Sequence, residues 1–185
     1  MNAVTRTPLS SNTIASTRVG GIRVLRCPAT SAELLGEGFV PQRPIEGFTT
    51  PAWFNKLALC ARDNKGPVVV TGTAGTGKDT AAKMLAAMTG RPFYKIGLSE
   101  STDLSTALIE MSIEGGDTVK RLGPLAKAAK GLTIQRGGKE MTIPAVILIS
   151  DFDRANPRTL ETFRNAFEEG GWFAMPDGSA LEVTA

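Results

Sequence analysis

An α/β fold with a parallel sheet covered by helices on both faces is what this sequence predicts, and three observations predict it. Apolar or mostly apolar runs at 67 to 71, 93 to 96 and 145 to 149 alternate with segments of helical period. The most apolar of these, at 145 to 149, is apolar throughout, as a strand buried on both faces is. The first run passes directly into a glycine-rich stretch, TGTAGTGKDT at residues 71–80, which opens a helix. A ligand-gripping loop is thereby placed at the carboxyl end of a strand, where open α/β sheets bind.

The elements follow in order. Residues 1–45 are rich in Ser, Thr, Arg, Gly and Pro, with one strand-like run at Gly21 to Leu25, and are expected as a flexible or docking arm. From residue 46 to 185 the chain is expected as one nucleotide-binding core. Thr50-Pro51 offers a helix cap and first turn, with Phe54, Leu57, Ala58 and Ala61 on one face. After the strand at 67–71 and the glycine loop, a helix runs from about 78 to 89 and stops at Gly90. The strand Phe93 to Ile96 is followed by a helix expected from about Thr102, with Leu104, Ala107, Leu108 and Met111 inward, closed by Gly115-Gly116. Pro124 starts another helix that Gly131 stops. Residues 132–135 and 141–143 form a hairpin across Arg136-Gly137-Gly138-Lys139. After the strand at 145–149, Asn156-Pro157 caps a helix presenting Leu160, Phe163 and Phe167. The stretch from Trp172 to Val183, around Pro176-Asp177-Gly178, is a last hairpin.

Composition excludes several chemistries. At 185 residues the chain is about one domain and long enough to bury a core without covalent staples. It has no histidine, which removes Ser-His-Asp and Cys-His catalysis and histidine-ligated metals. Two cysteines, Cys27 and Cys60, suggest neither a disulfide framework nor a zinc cluster. No signal peptide or membrane span is read, so a soluble, cytoplasmic protein is expected. A net charge of +3 is too small to mark a nucleic-acid binder by composition alone.

Gly72, Gly77 and Lys78 fit the pattern G-x-x-x-x-G-K between a strand and a helix. Glycines let the backbone curl so that successive N–H groups of Gly72, Thr73, Ala74, Gly75, Thr76, Gly77, Lys78, Asp79 and Thr80 face phosphate oxygens. The helix adds its positive end, and Lys78 a mobile charge for the outer phosphates. Where such loops carry a Ser or Thr hydroxyl for magnesium, this one has Asp79, and only then Thr80. Some nucleoside monophosphate kinases resemble this, so the loop alone leaves a kinase and a mechanical ATPase both open.

The strand at 145–149 runs into Ser150-Asp151-Phe152-Asp153-Arg154-Ala155. With GPLAKAAKG at 123–131 and AVILISDFDRANPRTLETFRNAFEEGGWFAMPDG at 145–178, residues 50 to 183 resemble the MoxR and CobS-like, helix-2-insert branch of AAA+ ATPases. The resemblance implies a P-loop, three-layer αβα sandwich with a mostly parallel sheet and β-hairpin insertions, ATP or ADP and magnesium as cofactors, and assembly into a ring, a hexamer favoured. It also implies a sensor strand, an arginine finger and a helical lid, none of which is read before Ala185. The core is expected as truncated, without a lid, and a second protein could complete it or be its client.

In that family the strand ends in Asp-Glu, the first acid in the magnesium shell and the second orienting water. Two registers fit. Either Asp151 is the first acid and Phe152 replaces the glutamate, or Ser150 replaces the first acid and Asp151 the glutamate. The second is preferred, because hydroxyl and carboxylate have then traded places: Asp79 and Ser150 form the magnesium-side pair, Asp151 joins them and orients water, and Lys78 and Asp151 are the catalytic pair. The plainer reading is that Asp79 only favours the helix N-terminus. Arg154, Arg158 and Arg164 are candidates for an inter-subunit finger, or simply solvated. Lys120, Arg121, Lys127, Lys130, Arg136 and Lys139 form a run without an acid, a possible face for an acidic partner or nucleic acid, or a solvated one. Three functions stay open: an ATP-driven remodelling protein, an assembly module that binds nucleotide without turnover, and a small nucleotide kinase.

Overall fold

The computed structural model describes residues 16–19, 21–63, 66–168 and 170–184. The chain begins with the hairpin β1 (Ser16–Val19) and β2 (Ile22–Leu25), then α1 (Ser31–Gly36) and α2 (Phe54–Asp63). The glycine loop leads into α3 (Lys78–Thr89) and β3 (Phe93–Gly97). A single turn, α4 (Ser105–Leu108), precedes the hairpin β4 (Ile109–Glu114) and β5 (Asp117–Leu122). Then come α5 (Pro124–Lys130), the hairpin β6 (Leu132–Arg136) and β7 (Lys139–Ile143), and β8 (Val146–Ser150). The chain closes with α6 (Pro157–Ala166) and the hairpin β9 (Trp172–Ala174) and β10 (Ala180–Glu182).

β3 and β8 pair in parallel, from Phe93 opposite Val146 to Gly97 opposite Ser150. Residues alternate across this pair. Val146 packs into a cluster of Phe54, Ala58, Ala81, Met84 and Leu85, with Val19 and Val24 of the first hairpin behind them. On the other face Tyr94, Ile96, Ile147 and Ile149 meet Leu125, Ala129 and Phe163 of α5 and α6. Helices therefore cover both faces of this central pair.

The parallel sheet is smaller than expected. Among the described residues the other four pairings, β1–β2, β4–β5, β6–β7 and β9–β10, are antiparallel hairpins. Residues 67–71, expected as a strand, form none: Val68 is 42% and Val69 87% exposed. Extended backbone becomes a strand only when a neighbour accepts from its N–H groups and donates to its C=O groups, and no described strand lies alongside to do so.

The helix expected from Thr102 to Gly115 is also not formed beyond α4. Ile109-Glu110-Met111-Ser112-Ile113 alternates with period 2, which outweighs the helical spacing of Leu104, Leu108 and Met111. Gly115 and Gly116, at φ 62° and 95°, form a two-residue hairpin turn rather than a helix stop. The other elements match the sequence reading closely, including the cap of α6, where Asn156 Oδ1 accepts from Thr159 N at 2.8 Å, except that α2 starts at Phe54, after a turn closed by Phe54 N donating to the Pro51 carbonyl, and not at Thr50-Pro51.

Of the segment expected as a flexible or docking arm, residues 1–15 lie outside the described residues. Residues 16–19 and 21–45 lie on the core, with Val19, Val24, Leu34 and Phe39 buried. α1 is fixed by a capping box between Thr30 and Glu33. Arg136 Nη2 donates to Glu33 Oε2 at 2.7 Å and to the Pro28 carbonyl at 3.1 Å. The Arg136 guanidinium, then the Thr30 N–H and hydroxyl, hold the Glu33 carboxyl down at about 2. The basic run from Lys120 to Lys139 is thus partly spent within the fold, since Arg121 also pairs with Glu114 at 2.6 Å.

Gly123 shows why a glycine precedes α5. A Cβ there would lie 2.4 Å from the Ala107 carbonyl oxygen, backbone that cannot swing away. Gly123→Ala is expected to lower stability in urea unfolding by about 1–3 kcal/mol, the usual cost of overpacking. Gly36→Ala, where a Cβ meets nothing within 4 Å, is the control and should not destabilise.

Candidate nucleotide site

The site gathers at the carboxyl ends of β3 and β8, where α3 begins. Gly75 and Gly77 hold φ of 79° and 80°, left-handed conformations that a side chain would strain. They curl residues 72–77 into a loop. Thr76 Oγ1 donates to the Thr73 carbonyl at 2.9 Å, and Lys78 Nζ donates to the carbonyls of Gly72 at 2.9 Å and Thr73 at 2.7 Å. The ammonium is thus folded back over the curl. Gly77 caps α3 without a side-chain hydrogen bond, so the first N–H groups of this twelve-residue helix and its positive end face the loop.

Asp79 lies in the first turn of α3, and its Oδ2 accepts from Lys95 Nζ at 2.6 Å. Lys95 comes from the middle of β3, in register with Leu148. The side chains of this pair are 41% and 44% exposed, so the bond is worth about 0–1 kcal/mol to stability, and its importance is where it puts charge. Ser150, at the end of β8, stands opposite Gly97, and a Cβ on Gly97 would be 3.5 Å from its Oγ. That hydroxyl donates to the Ile96 carbonyl at 3.4 Å. By strand alternation Phe93, Lys95 and Gly97 share a face with Val146, Leu148 and Ser150, the face that α3 covers. Asp79 and Ser150 therefore lie on the same side of the sheet, while the bonds they make go to Lys95 and Ile96.

Asp151 follows at φ 54°, ψ 39°, the one non-glycine residue with positive φ among the described residues. Aspartate tolerates this region better than most residues. The turn takes the chain out of β8 into the 3-10 turn Phe152–Arg154 and leaves the carboxylate exposed. Phe152 folds back onto α6, its ring 6.3 Å from Phe163 and 6.2 Å from Phe167. On the far side, Asn156 Nδ2 donates to the Glu100 and Thr102 carbonyls at 2.9 and 3.2 Å, tying the segment after β3 to α6. Arg154, Arg158 and Arg164 are all exposed, Arg164 pairing with Glu161 at 3.4 Å.

Two parts of the site are not legible in the sequence. Lys95 reads there as a strand residue; its only signal is a charge at an alternation position facing a helix. The second part is the segment at 45–51, which meets the loop in a groove of about 420 Å³ bordered by Ile45, Glu46, Phe48, Pro51, Gly75 and Thr80. Ile45 N donates to Met84 Sδ at 3.1 Å, and the Phe48 ring packs edge-on to Phe54 at 5.7 Å, so the segment is pinned to α3 and α2.

A glycine curl, an uncapped helix start, a lysine inside the curl and a groove beside it define a P-loop protein of the α/β class. Residues 67–185 match the family model of the AAA domain, dynein-related subfamily. The chain belongs to this family, which makes it an AAA+-type, ATP-binding protein. Asp79, Ser150 and Asp151 offer hard oxygens of the kind a small divalent cation takes, so the donor set suits the magnesium that accompanies nucleotide in this family. No described helix is long and apolar enough to cross a membrane.

Proposed function

We propose that this chain binds ATP with magnesium and hydrolyses it as an AAA+ ATPase of the MoxR and CobS-like branch, assembled into a ring that remodels a partner. The observation that carries the reading is the loop at 72–78 with the Lys78 ammonium folded into it, opening onto the start of α3. The phosphates lie along the N–H groups of residues 72 to 80, and the base lies in the groove beside Ile45 and Phe48, an apolar wall next to a polar loop. Asp79 and Ser150 are the residues that would hold the ion, and Asp151, set off the end of β8 by its left-handed backbone, would orient water. The ion supplies charge neutralisation at the outer phosphates. Arg154, Arg158 and Arg164, all exposed on or beside α6, are the arginines available to a neighbouring subunit's nucleotide.

The exchange of hydroxyl and carboxylate has its own test. Asp79→Thr and Ser150→Asp each leave two like groups at the site, whereas the double variant restores one of each. ATP binding by calorimetry and phosphate release are expected to be better preserved in the double variant than in either single one. Equal loss in all three rejects the exchange. Turnover per chain that rises with protein concentration supports the ring. Tight ATP binding with no turnover at any concentration supports a nucleotide-stabilised assembly module in its place.

A further inference from the structure

The geometry points to Lys95 as a resident counter-cation of the nucleotide site, sharing Asp79 with the metal and making nucleotide binding only weakly dependent on added divalent ion. The inference rests on the nucleotide reading above and concerns how the charge in that site is balanced.

A loop with one lysine and a neutral hydroxyl presents a net charge of about +1 to a polyphosphate. In this chain Asp79, next to Lys78, cancels that charge, and a site whose side chains sum to zero gathers an anion of several negative charges less strongly. Lys95 restores the balance. Its ammonium is 2.6 Å from Asp79 Oδ2, so it holds the oxygen that a metal would take. A magnesium ion ligated by this carboxylate sits roughly 2.0–2.1 Å from its oxygen, so ammonium and ion become near neighbours that repel. Lys95 already neutralises the carboxylate that the ion would take, so the ion's own gain at Asp79 is reduced.

Two further observations separate Lys95 from an ordinary solvated lysine. It projects from the middle of a parallel strand, on the face that α3 covers, between Phe93 and Gly97 and beside Leu148. It also reaches across from β3 to the first turn of the helix that follows the phosphate loop, so its charge lies at the loop and not at the outer surface of the sheet.

The experiment is a titration of the full chain with ATP, by calorimetry, in magnesium chloride and separately in EDTA. The wild-type protein, Lys95→Met and Lys95→Arg are compared, with thermal melts to confirm that each is folded. Removing magnesium is expected to weaken wild-type binding by no more than about threefold, and binding by Lys95→Met by at least about tenfold, the scale on which close charge pairs couple. Lys95→Arg keeps the charge and should behave as wild type. The inference is overturned if wild type itself loses more than about tenfold in EDTA, or if Lys95→Met shows the same magnesium dependence as wild type. In either of those outcomes ATP still binds and the nucleotide reading stands. No heat with ATP in either buffer for the wild type overturns both.

Discussion

Lys78→Ala is expected to lose ATP binding while leaving the fold intact. Among the described residues the hydrogen bonds of the lysine's ammonium go to loop carbonyls, those of Gly72 and Thr73, and the residue is not a member of the buried clusters. Its removal therefore costs the folded state little. For the bound state it is large, because truncating one member of a charged hydrogen-bonded pair costs about 2–5 kcal/mol, a drop of roughly thirtyfold to several thousandfold in affinity. Calorimetry with ATP measures the loss, and a thermal melt without nucleotide supplies the control. A variant that binds ATP within about threefold of wild type would remove the loop from the site. A variant that melts far below wild type would instead make Lys78 a structural clamp of the empty loop.

Phe163→Ala is expected to give the largest loss of stability, about 3–5 kcal/mol out of the 5–15 kcal/mol typical of a domain. Phe163 is fully buried and is the hub of an aromatic group: Phe167 stacks on it at 5.7 Å, Phe173 meets it edge-on at 5.8 Å, and Phe152 lies at 6.3 Å. It joins α6, β9 and the turn after β8 in one cluster. A chain of this size loses about 2–4 °C of melting temperature per kcal/mol, so a fall of roughly 6–20 °C is expected by differential scanning calorimetry. Because Phe152 follows Asp151 directly, the cavity also loosens the turn that sets the Asp151 backbone. Phe167→Ala makes a useful comparison. That side chain is 37% exposed, and its loss should cost much less.

The parts of the fold that were legible in sequence are those fixed by local chemistry. Gly90 ends α3 with φ 68°, Asn156 caps α6, Gly137-Gly138 turns β6 into β7, and Pro124 opens α5, each through a property of the residue itself. The errors came where two periods compete or where a partner strand decides. Residues 109–113 carry both a helical and an alternating pattern, and pairing with 118–122 chose the latter. Residues 67–71 have strand composition but stay single because nothing described pairs with them. Gly123 was visible as the start of a helix, yet its reason is a carbonyl at 107, far enough away in sequence that spacing could not show it.

The amino-acid sequence by itself determined that this chain carries a phosphate loop at 72–78 ahead of a helix and that histidine chemistry is excluded, and it supplied Asp79, Ser150 and Asp151 as the proposed oxygen donors. These follow from residue type and short spacing. Only the tertiary structure decided what Asp79 touches. β3 lies beside β8 under α3, and that packing brings Lys95 across sixteen residues of chain to within 2.6 Å of the carboxylate. It likewise laid the segment at 45–51 against the loop to make the groove. Both are long-range contacts set by how helices pack on a sheet, and no periodicity in a single sequence encodes which side chains will meet there.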